Sequence, residues 1–299
     1  MIHVPVLLKE IIQYLDPRPN ENFVDCTIGS GGHAFEILKY TEPNGKLLGI
    51  DWDAAAIQNL DQKIKVKDEK NKERIILVHD NYVNLKNIIL KYNFLNIHGI
   101  LADLGFSLDQ IEQSGRGFSF MRDEPLDMRY NQDGGLTAKE IINNWLQEDI
   151  EKILENYGEE RFAKRIAENI IQERKFVPIE TTLQLVEIIR NSVSAPYRYE
   201  KIHFATRTFQ ALRIMVNNEL INLEKFLPQA IEVLNKNGRL GIISFHSIED
   251  RIVKKFFKEK SQENILEKLT KKPIFPSEEE ILKNRKSRSA KLRVIKKII

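Results

Sequence analysis

Residues Asn22 to His33 read N-F-V-D-C-T-I-G-S-G-G-H. Apolar and β-favouring side chains open the stretch, Phe23, Val24, Cys26 and Ile28, and Gly29, Gly31 and Gly32 follow closely. Beyond His33, the run Ala34 to Tyr40 has helical spacing. A short buried strand, a glycine turn and a helix start are the parts of a nucleotide-type cofactor site, because glycine accepts positive φ and lets backbone approach a ligand closely. The same parts also fit a tight strand-to-helix turn that binds nothing.

Working outward, the same unit recurs. Val4 to Leu15 has helical spacing and ends at Asp16-Pro17. Lys46 to Asp51 is a second apolar run, and Asp53 is placed to cap a helix over Ala54 to Ile64. The charged stretch Lys65 to Arg74 reads as an exposed loop. Ile75 to Val78 is a third strand, Leu85 to Tyr92 a helix, and Ile97 to Leu104 a fourth strand. Such β-α alternation predicts a parallel sheet with helices on both faces, a Rossmann-like α/β fold, whose ligands sit beyond the carboxyl ends of the strands. Asp25, Asp51, Asp80 and Asp103 all fall near those ends. One acid there is ordinary, but four beside a glycine turn point to a site.

From about Ser107 to Thr206 the strand pattern stops, and helical periodicity covers Thr137 to Trp145, Glu148 to Tyr157, Glu160 to Lys175 and Ile179 to Ser192. We read 107–206 as an all-helical domain inserted into an α/β domain formed by 1–106 and 207–299. The α/β pattern resumes with a long helical stretch, Thr208 to Leu234, broken near Pro228, and then an Asn237-Gly238 turn. The strand Arg239 to Phe245 follows, then a helix over Ile248 to Lys260 capped by Ser247 or its neighbour, and a final strand over Ala290 to Ile298.

The 299-residue chain is 42% hydrophobic and 30% charged, which suits a protein with a real core and no membrane span. The first residues lack the basic and small-residue pattern of a secretory leader, so the expected location is cytoplasmic. A single cysteine, Cys26, excludes an intramolecular disulfide, and the scattered histidines predict no metal site. The net charge of +3 is uneven: Arg251 to Ile299 holds 16 Lys plus Arg against 6 Asp plus Glu, leaving −7 for the preceding 250 residues. A basic end fits a polyanion such as nucleic acid, and equally a solvated lysine-rich surface.

Gly29-x-Gly31-x-x-Ala34, with Asp51 at ribose-binding distance, also fits a relaxed dinucleotide fingerprint, so spacing leaves a nicotinamide dehydrogenase open beside an S-adenosylmethionine enzyme. The acids favour the second, because its ligand carries a sulfonium and an amino group instead of a pyrophosphate.

Longer motifs then carry a resemblance. They are H-V-P-V-L-L at His3 to Leu8, D-C-T-I-G-S-G-G-H at Asp25 to His33, G-I-D at Gly49 to Asp51 and D-L-G at Asp103 to Gly105. To these add R-G-F-S-F-M-R-D-E-P-L-D-M-R at Arg116 to Arg129, Y-G-E-E-R-F-A-K-R-I-A at Tyr157 to Ala167 and A-T-R-T-F-Q-A-L-R-I at Ala205 to Ile214. I-S-F-H-S-I-E-D-R-I-V-K at Ile243 to Lys254 and S-A-K-L-R at Ser289 to Arg293 complete the set. Over nearly its full length the chain resembles the bacterial ribosomal RNA small subunit methyltransferase H family. The resemblance implies S-adenosylmethionine-dependent methylation of the exocyclic N4 of a cytidine in the decoding region of 16S ribosomal RNA, within the small subunit. It implies cofactor contacts at Gly31, Gly32, His33, Asp51, Tyr82, Asp103 and Gln110, and leaves room for a homodimer. Two positions depart from the family pattern: F-S-L-D-Q at Phe106 to Gln110 stands where V-S-S-P-Q is usual, and Tyr82 where Phe is common.

The chemistry can be read residue by residue. A cytosine N4 needs in-line placement and a proton acceptor, not a covalent nucleophile. Asp103 could hydrogen-bond that amine or the amino group of the cofactor. Methylation at cytosine C5 would need a cysteine, and Cys26 reads as core. His246 could line the pocket or cap a helix. Arg116, Phe118, Phe120, Arg122 and Arg129 mix cations and aromatics in a loop, as RNA phosphates and a splayed base require, although the two Phe could simply pack on helices. Arg207, Arg213, Arg251 and the stretch Lys286 to Arg293 are further RNA-binding candidates.

Overall fold

The computed structural model describes residues 5–67, 71–105 and 114–299. The chain divides into two compact units, 1–105 with 220–299, and 106–219.

The first unit holds one seven-stranded sheet. Its strands are β1 (Asn22–Asp25), β2 (Leu47–Asp51), β3 (Ile75–His79), β4 (Ile97–Asp103), β5 (Leu234–Ser244), β6 (Leu266–Lys268) and β7 (Lys291–Lys297). Their order is β3-β2-β1-β4-β5-β7-β6. β1 to β5 are parallel, and β7 runs antiparallel to both β5 and β6. Neighbouring residues in a strand face opposite sides, so an apolar run fills two cores. Val24, Leu48, Ile100 and Ile242 pack with helices Leu85–Lys91, Glu219–Val233 and Ser247–Gln262. Phe23, Leu47, Leu101 and Ile243 pack with helices Leu8–Leu15, Gly32–Tyr40 and Ala54–Lys67. This is the Rossmann-like α/β sheet that the strand and helix alternation predicts.

The second unit is helical around its own core, in which Ile141, Leu154, Ile166, Leu185 and Leu212 are buried. Helices Ala138–Asn144 and Thr182–Ser192 each start in a capping box, Thr137 with Glu140 and Thr181 with Gln184, which satisfies end N–H groups that lack an intrahelical partner. Helices Gln147–Gly158 and Thr206–Asn217 cross closely: a Cβ on Gly158 would stand 2.6 Å from the Arg207 carbonyl oxygen.

Several details differ from the sequence reading. The returning boundary lies at 219/220, not 206/207. Phe209, Ala211, Leu212 and Val216 belong to the helical core, which claims the whole helix Thr206–Asn217. The break in the long helical stretch falls at left-handed Asn218, while Pro228 sits inside the second helix. The first helix begins at Leu8, not Val4, behind a left-handed Leu7. In the charged stretch after Ile64, the helix continues to Lys67 and Arg74 is buried, donating to the carbonyls of Gly45 and Leu38. Asn237-Gly238 is not a turn ahead of the strand but a bulge within β5, whose Leu234 pairs with Ile97 and Arg239 with Gly99. β6 has three residues, too few for a periodic signal.

Candidate active site

The chain lays β2 and β3 on one side of β1 and β4 and β5 on the other. That reversal opens a crevice at the carboxyl ends of β1 and β4, where open parallel sheets bind ligands. Asp25, Asp51 and Asp103 are the last residues of β1, β2 and β4, and Asp80 directly follows β3. The sheet therefore brings the four acids to one edge.

The glycine turn lies beside them. Gly29 and Gly31 have φ of 48° and 82°, the region that penalises side chains. A Cβ on Gly29 would meet only the Thr27 carbonyl oxygen at 3.9 Å, so the backbone there faces open space. Gly31 caps helix Gly32–Tyr40, and its N–H closes the turn on the Ile28 carbonyl at 2.8 Å.

Asp51 braces this turn. Its Oδ2 accepts the Gly29 N–H at 2.8 Å and its Oδ1 accepts the Asp53 N–H at 2.9 Å. Burial lifts its pKa to about 6 against those two hydrogen bonds. Each oxygen keeps a second lone pair for a ligand hydroxyl. Asp53 caps the next helix as expected, accepting from the Ala55 N–H.

Asp25 is buried, which lifts its pKa to about 7. Its Oδ1 accepts the Thr27 N–H at 3.1 Å, and Thr27 Oγ1 accepts the Asp103 N–H at 2.7 Å, so β1 clamps the end of β4. Among the described residues, Asp103 Oδ1 is buried without a hydrogen-bond partner. Burial, then Asp25 and Glu249, push the Asp103 carboxyl well above the usual range. His33 Nδ1 lies 3.9 Å from Asp103 Oδ2. His33 Nε2 is 2.9 Å from the Val6 carbonyl oxygen, which can only accept, so that nitrogen carries a proton. Tyr82, in a short 3-10 turn after β3, packs edge-on to Phe226 at 5.2 Å. Gln110 and the departing Phe106 to Gln110 loop lie outside the described residues.

Residues 1–298 match the MraW methylase family. Two proteins named ribosomal RNA small subunit methyltransferase H, from Clostridium botulinum strains 657 and Okra, are 46% and 47% identical, each over 99% of both chains.

The chain belongs to the MraW methylase family.

An rRNA methylase structure from Streptococcus thermophilus aligns over 100% of this chain and 99% of its own at 11% identity and a TM-score of 0.47, too loose a likeness to argue from. Family membership settles the choice that glycine spacing left open: the turn belongs to a methylase, not to a nicotinamide dehydrogenase.

The orphaned Asp103 oxygen, the open face of Gly29 and the acids at the strand ends suit a cationic adenosine-containing methyl donor. Cys26 is buried in the core, and burial raises its thiol well above its usual pKa, so it is no nucleophile.

Other sequence candidates have structural partners instead. His246 is the N-cap of helix Ser247–Gln262, its Nδ1 accepting the Glu249 N–H, while Glu249 Oε2 accepts the Phe245 and His246 N–H groups. Arg116 is buried and donates to the carbonyls of Arg129 and Tyr130. Phe118 stacks on Tyr130 inside the helical core. Arg129 forms a two-pronged pair with Asp127, and buried Arg213 another with Glu219. Arg207 donates to Tyr197 Oη, whose own proton goes to Glu160. Phe120 stacks on His203 at 4.6 Å. Arg122 and Arg251 have exposed side chains. One surface feature escaped the sequence reading: Tyr199, 88% exposed, between Arg198 and exposed Lys201. The cation-aromatic mixture that singled out Arg116 to Arg129 also occurs in P-Y-R-Y-E-K, Pro196 to Lys201, and could have found it.

Proposed function

We propose that this chain transfers a methyl group from S-adenosylmethionine to the exocyclic N4 of a cytidine in the decoding region of 16S ribosomal RNA, acting on the small subunit. The observation that carries the reaction is the Asp103 carboxyl at the end of β4, with one oxygen buried and, among the described residues, unpaired beside the glycine turn. The names of the relatives at 46% and 47% identity support the small-subunit RNA as substrate.

When bound, S-adenosylmethionine supplies an electrophilic methyl group on a sulfonium. Gly31, Gly32 and His33 would hold its methionine end, Asp51 its ribose hydroxyls and Tyr82 its adenine. The cytosine amine takes the methyl carbon and must lose a proton. Asp103 in its ionised form is a stronger base than an ordinary aspartate because burial raises its pKa, which suits a proton acceptor. The buried, raised Cys26 thiol supports N4 over C5, which needs a thiolate attack on the ring. His246 caps helix Ser247–Gln262 through Nδ1, while its Nε2 is buried without a hydrogen-bond partner among the described residues, so it stays a candidate beside Asp103. In the helical unit, exposed Tyr199 with exposed Lys201 is a surface suited to stack a base and meet phosphates, and exposed Arg122 is a further candidate.

The test is methyl transfer from labelled S-adenosylmethionine to isolated small subunits, followed by mass spectrometry of the digested RNA. N4-methylcytidine in the decoding region is expected. A C5-methylated product, or label elsewhere only, overturns the assignment.

A further inference from the structure

Leu7 is fully buried, yet its backbone is left-handed, with φ 53° and ψ 34°. A non-glycine residue rests there only when its surroundings hold it. Three contacts around Pro5 to Leu7 do so, all within the unit that carries the sheet. Pro5 lies so close to Gly32 that a Cβ on that glycine would stand 2.4 Å from Pro5 Cγ. The Val6 carbonyl accepts from His33 Nε2. The Leu7 N–H donates to Glu280 Oε1 at 2.8 Å, across 273 residues of sequence. The first two contacts tie this strap to the glycine turn. The third ties it to helix Glu278–Lys283 near the other end of the chain, where Ser277 Oγ accepts the Glu280 N–H and fixes that residue.

We infer that Glu280 is a positioning residue for the cofactor site, latching the Pro5 to Leu7 strap so that the strap orients His33 and seats the backbone at Gly32. The inference rests on the glycine turn being an S-adenosylmethionine site. Without the carboxylate, Leu7 loses the hydrogen bond that offsets its strain and relaxes toward negative φ. That relaxation carries the Val6 carbonyl away from His33. The His33 ring then turns beside Asp103, 3.9 Å away, and the turn that receives the ligand loosens.

Calorimetric titration of S-adenosylmethionine into the full chain tests this. Glu280→Ala should weaken binding about tenfold, in line with a charge-assisted hydrogen bond. Glu280→Gln, whose Oε1 still accepts, should stay within about threefold. Glu279→Ala serves as control: Glu279 is exposed and pairs with Lys283, and its loss should change nothing. Nitrogen NMR should show the protonated Nε2 of His33 in the wild-type chain and an altered ring in folded Glu280→Ala. Should Glu280→Ala fail to fold, hydrogen exchange on the wild-type chain decides, because ligand binding must then slow exchange at the Leu7 amide. Wild-type affinity in Glu280→Ala, or a Leu7 amide indifferent to ligand, overturns the latch. A wild-type chain that does not bind S-adenosylmethionine overturns the cofactor reading itself, and the latch with it.

Discussion

At the carboxyl edge of the sheet, Asp103 keeps a buried oxygen with no partner among the described residues, and Asp51 uses one lone pair of each oxygen on backbone N–H groups and holds another in reserve. In the helical unit, Arg213 places two nitrogens on both oxygens of Glu219, Arg129 does the same with Asp127, and Arg116 spans two carbonyls. Both regions are rich in charge. In the first, burial leaves valence unfilled, which is the condition for binding or moving a proton. In the second, these three arginines have their valence filled, which is the condition for holding helices together. Residue type alone does not separate the two; the partner does.

The contrast can be broken most forcefully at Arg213. Arg213→Ala takes the guanidinium from buried Glu219, which keeps the Tyr130 hydroxyl as a donor, so a loss of about 3 kcal/mol is expected in denaturant unfolding. A stability close to wild type would return Arg213 to the RNA-binding candidates. Next comes Asp103→Asn, which should slow single-turnover methyl transfer about 100-fold or more while the variant stays folded. An unchanged rate would move proton acceptance elsewhere. Asp51→Ala should weaken S-adenosylmethionine binding about tenfold by calorimetry, because it removes charge-assisted bonds and the brace on Gly29. Tyr199→Ala should weaken binding to a small-subunit RNA fragment about tenfold and leave S-adenosylmethionine affinity alone, with Tyr199→Phe near wild type. The smallest effect sharpens the description of Asp25. Its pKa rises from about 4 in an unfolded chain to about 7 when folded, so the folded state holds the extra proton between those values and stability falls as pH rises through them. Asp25→Asn should show a flatter decline between about pH 4 and pH 7 in thermal melts; an equal slope would assign the decline to other groups.

Much of the sheet was legible because its signals are local. Phe23 and Val24, or Leu47 and Leu48, announce a strand buried on both faces, and Asp25, Asp51 and Asp103 mark strand ends. The helix cap at Asp53 was legible too, since an aspartate just before a periodic run is a local pattern. The domain boundary at 219/220 was not, because helix Thr206–Asn217 has the same periodicity whichever core receives it. Nor was the part played by Arg116, since a carbonyl that occupies a side chain leaves no mark in composition.

The sequence by itself determined a parallel α/β sheet, a glycine turn with acids at strand ends, a helical insertion and a methylase family, because periodicity, turn chemistry and long motifs are properties of neighbouring residues. Tertiary structure alone decided which charges are satisfied. Only folding buries the Asp103 oxygen without a partner among the described residues, closes Arg213 on Glu219, and brings Glu280 to Leu7 across 273 residues. A hydrogen bond or ion pair is set by distance and burial, and both are fixed when remote segments pack.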